Sequence, residues 1–118
     1  MIIIDTSVWV DHFRREEPKI GEFLMLGNVR HHPLVTAELA MGNLRDWRRT
    51  ITLLDSLPPA EQVQHATLLD FVEKANLAGS GVGVVDAHLL ASAQSSGCKL
   101  WTRDRRLLEQ ANRLDLAF

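Results

Sequence analysis

Ile2-Ile3-Ile4-Asp5-Thr6-Ser7-Val8-Trp9 is the stretch that decides the fold class. Three consecutive β-branched residues make a strand short and apolar enough to be buried on both faces, as strands of a parallel sheet are. Asp5 ends that run, and Asp5-Thr6-Ser7 offers side-chain oxygens as helix caps. Val8, Trp9 and Phe13 then mark an apolar stripe on a helix reaching about Arg14. A buried strand feeding directly into a capped helix is the first half of a βαβ unit.

Working outward, the alternation continues. Pro18 opens a second helix carrying Ile20, Phe23, Leu24 and Leu26, which Gly27-Asn28 stops. A short strand is expected near Val29-Arg30-His31, then a helix from Thr36 with Thr36 as its cap. Leu44 to Leu54 places Trp47, Ile51 and Leu54 on one helical face, and Leu57-Pro58-Pro59 breaks it. Helix resumes near Glu61 and runs towards Leu77, ending before Gly79-Ser80-Gly81. Gly83 to Ser95, small and apolar, is expected to be a central helix packed on the sheet. Lys99 to Thr102 reads as a strand, Asp104 opens a last helix through Ala111, and Leu114 to Phe118 as a closing edge strand. Strands alternating with helices predict a three-layer α/β/α domain over residues 1–118, with a central, mostly parallel sheet and right-handed crossovers.

Composition agrees with one packed core. The chain has 118 residues, 46% of them hydrophobic and 24% charged, which excludes disorder. A formal net charge of −2 supplies no global attraction to nucleic acid, so any binding of it must rest on local patches. No apolar run is long enough to span a bilayer and no basic leader precedes Ile2, so secretion and membrane insertion are not expected. Cys98 stands alone; it reads as a small buried residue at the start of a strand, and suits a reducing cytoplasm.

The acids carry the chemistry. Asp5 and Asp104 both follow predicted strands, where ligands of an open parallel sheet bind. Glu38 sits in the first turn of its predicted helix and Asp86 early in the central one, so four separate segments offer carboxylates to one rim. Carboxylates gathered there repel one another and ask for a cation. Hard oxygen ligands select Mg²⁺ or Mn²⁺, which can activate water against a phosphodiester. The bland alternative stands beside each acid: Asp5 and Asp104 as helix caps, Glu38 and Asp104 favouring helix N-termini, and Asp86 as a satisfied helix residue. Asp86 is the most informative, because an acid among Val84, Val85, Ala87, Leu89 and Leu90 is costly unless compensated.

Four stretches in order resemble the successive motifs of PIN-domain proteins, and of VapC-type toxins among them. They are Ile3-Ile4-Asp5-Thr6-Ser7-Val8-Trp9, Thr36-Ala37-Glu38-Leu39, Gly83-Val84-Val85-Asp86-Ala87-His88-Leu89-Leu90-Ala91-Ser92-Ala93 and Leu100-Trp101-Thr102-Arg103-Asp104. The resemblance covers essentially the whole chain. It implies a Mg²⁺- or Mn²⁺-dependent endoribonuclease with Asp5, Glu38, Asp86 and Asp104 at the family's acidic positions. It also implies Thr102 as the hydroxyl near the last acid, and Ser7 or Thr6 supporting the first. It further implies a homodimer, a structured RNA target such as transfer or ribosomal RNA, and inhibition by a VapB-type antitoxin. Arg105 and Arg106 follow Asp104, so a further acid found there in some relatives has no counterpart.

Other residues read more plainly. Arg45, Arg48 and Arg49 suit a solvated helix face, whereas Arg103, Arg105 and Arg106 flank the acidic rim and suit phosphate. His12, His31, His32, His65 and His88 lack metal-ligand spacing and receive no catalytic role. Trp9, Trp47 and Trp101 sit on apolar faces and suit core or a dimer interface. Two rivals remain open from the residues: a receiver-like phosphoryl-transfer domain using Asp5 as nucleophile, and a catalytically idle RNA- or partner-binding module.

Overall fold

Ile2–Ile4 form strand β1, and all three side chains are buried. Since alternate residues of a strand point to opposite faces, helices must cover both sides of it. In the computed structural model, which describes residues 1–118, β1 is followed by α1 (Thr6–Arg14), α2 (Pro18–Met25), β2 (Val29–Arg30) and α3 (Pro33–Ala40). Then come α4 (Trp47–Asp55), α5 (His65–Lys74), α6 (Val84–Ser96), β3 (Lys99–Trp101) and α7 (Arg105–Arg113). The sheet has three strands in the order β2-β1-β3, all parallel, with Ile3 paired to Arg30 on one side and Leu100 on the other. The chain therefore leaves the central strand for one edge and returns by the other. The C-terminal end of β1, where Asp5 stands, is the switch point of the sheet.

One cluster of 25 buried apolar residues fills the interior. On α6, Ala87, Leu89, Leu90, Ala91, Ser92 and Ala93 are all buried; the small Ala and Ser side chains let this helix lie close against the sheet while Leu89 and Leu90 fill the core. Gly97 ends α6 in the left-handed conformation, at φ 67°, which glycine adopts without a Cβ clash. Cys98 is buried just before β3. Because α6 leads straight into β3, its N-terminus, with Asp86, returns to the rim where the parallel strands end.

Several expectations change. The helix bearing Glu38 begins at Pro33 and not at Thr36: His32 is its cap, with Nδ1 accepting from the Leu34 amide at 3.1 Å. Pro at the first helical position suits this start. Thr36 lies buried inside the helix against His31, and Glu38 is well past the first turn. The stretch from Leu44 is a loop up to Asp46, which is itself left-handed at φ 50°, and α4 starts only at Trp47. The segment from Glu61 is not helical before His65. Pro58-Pro59-Ala60 instead runs beside β2, the His31 amide donating to Pro58 O and the Ala60 amide to His31 O. Prolines have no amide to place in a ladder, which confines them to such an edge. The closing strand shrinks to one bridge between Leu100 and Ala117. Trp9 is core and Trp101 joins an aromatic cluster with Phe23 and Phe118. Trp47, though, is 42% exposed, its indole N–H held by Ala40 O.

Candidate active site

Asp5 is the N-terminal flanking residue of α1, yet its side chain makes no capping bond. The carboxylate is buried at 4% exposure and turned to the neighbouring strand end. Its Oδ2 accepts from Ser7 Oγ at 2.7 Å and from Thr102 Oγ1 at 2.8 Å. The two hydroxyls are themselves oriented. The Arg103 amide donates to Ser7 Oγ and the Asp104 amide to Thr102 Oγ1. A buried carboxylate with one oxygen pinned by two such donors holds one orientation, with Oδ1 left free of protein donors. The capping reading of Asp5 is thereby replaced by a locked acid at the sheet's switch point.

Thr6 serves a different acid. Its hydroxyl donates to Glu38 Oε1 at 2.7 Å, tying α1 to α3 across the rim. Asp104 does cap, as the plain alternative has it: Oδ1 accepts from the Leu107 amide at 3.0 Å. Only one of its oxygens is used, so capping and a second role coexist.

Asp86 accepts no hydrogen bond from the protein. Burial pushes its carboxyl up, and the charges of Asp5, Asp104 and Glu38 push it further, to about 6. All four acids thus share one electrostatic field, and no Lys or Arg is among the groups that set it. Of the three arginines flanking the rim, Arg103 is already engaged, donating to Asp11 at 2.8 Å and Glu17 at 2.9 Å. Arg105 is exposed. Arg106 lies over Gly81, where an added Cβ would come within 3.1 Å of Arg106 Cδ.

The acids do not close into a cage: no three His, Cys, Asp or Glu groups stand at mutual ligand spacing. The donor set is nonetheless that of a hard divalent cation, for which water and substrate oxygens complete the shell. An acid raised by its like-charged neighbours, with no protein donor of its own, fits such an ion.

A model of the PIN domain matches residues 2–113. The chain belongs to the PIN-domain family. It is also 42% identical over 108 residues to Ribonuclease VapC32 of Mycobacterium tuberculosis, in the CDC 1551 / Oshkosh and ATCC 25618 / H37Rv strains alike. The match covers 91% of this chain and 87% of each relative. This PIN domain therefore has VapC-type relatives across almost its full length, and its three-stranded parallel sheet with seven helices is the α/β fold expected of it.

The histidines, although not at the acidic rim, do more structurally than their spacing suggested. His32 accepts at Nδ1, so Nε2 carries the proton and donates to Ser92 Oγ on α6 at 3.1 Å. Burial lowers its pKa to about 4, with His88 and His31 adding to the effect. His31 reaches Asp55 at 3.1 Å, and burial lowers it too, partly offset by that carboxylate. This polar seam locks α3 onto α6, and hence Glu38 relative to Asp86. The one sequence signal was His32 directly before Pro33, where an acceptor side chain can cap.

Proposed function

We propose that the protein is a Mg²⁺- or Mn²⁺-dependent endoribonuclease, the toxin of a VapBC-type pair, acting as one domain over residues 1–118. The observation that carries it is Asp86, an acid driven up to about 6 by burial and by the charges of Asp5, Asp104 and Glu38. Four acids in one field, with no cationic side chain among them, suit a nuclease better than a receiver-like domain. The name Ribonuclease VapC32 borne by the relatives supports the same reading.

Asp5, Glu38, Asp86 and Asp104 would hold the cation. When bound, it supplies Lewis-acid stabilisation of phosphoryl oxygens and a more acidic water. Asp5 enters this with its direction set by Ser7 and Thr102, so ordering its carboxylate costs little at the moment of binding. Thr6 does the same for Glu38. Asp104, fixed at one oxygen by the Leu107 amide, presents the other. Asp86 would bind the ion with its proton displaced, so cation affinity falls as pH drops through about 6. Arg105 and Arg106 are the rim cations available for RNA phosphates, since Arg103 is taken.

The partners follow the same reading: structured RNA as substrate, a second copy as homodimer mate and a VapB-type antitoxin as inhibitor. An apolar groove of about 310 Å³ between α1, α2 and α4, lined by Trp9, Phe13, Leu24 and Leu53, supplies surface for a protein partner. No helix is long and apolar enough to cross a membrane. Incubating the purified chain with total RNA and Mg²⁺ or Mn²⁺ tests the proposal. Cleavage abolished by chelator and by Asp5→Asn or Asp86→Asn is expected; cleavage unchanged in both variants refutes it.

A further inference from the structure

The largest cavity of the molecule adjoins the acidic rim. It is a trough of about 650 Å³ between α1, the end of α3 and the α3–α4 loop, and its lining includes Thr6, Phe13, Arg14, Glu38, Arg45 and Asp46. That volume lies within the roughly 300–1,000 Å³ of sites that take a nucleotide-sized ligand. On α1, Phe13 and Arg14 come seven and eight residues after Thr6, on the same face and two turns on. At 1.5 Å per residue the trough extends roughly 12 Å from the Thr6–Glu38 hydrogen bond. One end thus belongs to the proposed cation site, and the far wall of α1 carries an aromatic ring and a guanidinium.

Neither Arg14 nor Arg45 is paired with a carboxylate, whereas Arg103 next door is held by two. Glu38 and Asp46 also line the trough, so it is bipolar and no general sink for anions. Phe13 is 41% exposed and backed by Trp9, the rings 5.9 Å apart and tilted by 23°. A supported ring with a free surface is a platform on which a base stacks. Asp46 stands left-handed at φ 50° where α4 begins, a conformation that costs a non-glycine residue free energy and that collects at ligand sites. Arg45, the residue before it, lines the trough with Glu38.

We infer that this trough is a nucleotide subsite for RNA, taking the base and phosphate next to the scissile bond, with Phe13 stacking the base and Arg14 and Arg45 gripping the phosphate. The inference rests on the ribonuclease reading for its placement. The Arg fork matches phosphate oxygens. The order along α1, Thr6 with its Glu38 partner first and Phe13 and Arg14 two turns on, matches a strand with one phosphate at the cation and the next beyond it. Arg14 and Arg45 are RNA-binding residues in this account, holding the backbone of RNA that Asp5 and Asp86 would process.

The test uses the full chain with Arg14→Gln, Arg45→Gln and Phe13→Leu. Arg48→Gln serves as control, because Arg48 is equally exposed nearby but outside the trough. Binding of a labelled single-stranded oligoribonucleotide is measured by anisotropy in the Asp86→Asn background with Mg²⁺ across a salt series. Cleavage is measured in the otherwise unaltered chain. Each arginine variant is expected to weaken binding roughly 5–10-fold and to reduce the log–log salt slope by about 0.7. KM rises by a similar factor, kcat at saturating RNA stays within about 2-fold, and Arg48→Gln changes neither. Phe13→Leu is expected to weaken binding with the salt slope intact. Unchanged binding in both arginine variants overturns the inference, and is the outcome if a protein segment occupies the trough instead. Equal weakening by Arg48→Gln overturns it too, by reducing the effect to general charge. If the unaltered chain cuts no RNA, the ribonuclease reading fails, while the anisotropy series still decides whether the trough holds RNA.

Discussion

Replacing Asp86 by Asn is expected to abolish cleavage and, in chelator, to make the protein more stable. The carboxyl is moved from 3.8 to about 6 by burial and by the charges of Asp5, Asp104 and Glu38. At 1.36 kcal/mol per pH unit, that disfavours the ionised native state by roughly 3 kcal/mol. The carboxylate is part-exposed, and an amide there still loses some hydration, so about 1–2 kcal/mol of this is recoverable. The sign follows from proton binding. The native state holds this proton more tightly than the unfolded chain, so the penalty is complete above pH 6 and fades as pH falls from 6 through 3.8. Thermal melts by circular dichroism in chelator at pH 7.5 should place Asp86→Asn roughly 4–8 °C above the parent chain. At pH 4 the gap should nearly close. Mg²⁺ should then raise the melting temperature of the parent chain and leave the variant almost unmoved, because only the parent offers the fourth acid. A variant that melts at or below the parent at pH 7.5, or a gap that ignores pH, would refute the account of Asp86 as an acid strained by its neighbours.

Thr102→Val removes one of the two hydroxyl donors to Asp5 Oδ2 at nearly constant volume; RNA cleavage should fall about 10–100-fold with the fold intact by circular dichroism, and unchanged cleavage would show that Ser7 suffices. His32 sits near pKa 4 because it is buried, so the unfolded chain takes its proton first. In the Asp86→Asn background, which removes the opposing titration of Asp86, stability should therefore decline from pH 6.5 to pH 4 by about 2–3 kcal/mol in urea titrations; Ser92→Ala, which strips the buried His32 Nε2–H of its acceptor, should cost about 1–3 kcal/mol at pH 7.5. Gly81→Ala places a Cβ at φ +87° and 3.1 Å from Arg106, and should lower the melting temperature by several degrees through backbone strain of about 1–2 kcal/mol; a neutral result would mean that the loop before α6 relaxes freely.

Much of the site was legible in the chain because its signals are local. Asp5 directly follows an apolar run that reads as a buried strand and Asp104 comes shortly after the Lys99–Thr102 strand, and the rim of a parallel sheet is where such residues gather. Asp86 stood out as an acid on an otherwise apolar helix, and its raised pKa is the physical form of that conflict. Glu38 was assigned to the rim from a helix start three residues too late. The capping signal there was His32 before Pro33, and histidine is a weaker cap marker than the Thr36 that competes with it. The loop at Leu44–Asp46 and the extended segment before His65 were misread as helix, since apolar spacing alone does not register a left-handed Asp46 or the pull of a sheet edge on Pro58-Pro59-Ala60.

The sequence by itself determined the alternation of strand and helix, the parallel sheet and the placing of Asp5, Asp86 and Asp104 at strand ends and a helix start, because burial periodicity and turn chemistry act over a few residues. Only the tertiary structure decided which hydroxyl serves which acid: Ser7 and Thr102 for Asp5, Thr6 for Glu38. It also decided that Arg103 is spent on Asp11 and Glu17, while Arg14 and Arg45 share a trough with Glu38. Apart from Ser7 beside Asp5, the hydrogen-bonded pairings join residues distant in the chain, Thr102 to Asp5, Thr6 to Glu38 and Arg103 to Asp11 and Glu17, and contacts at that separation are set by how the elements pack, which no local pattern encodes.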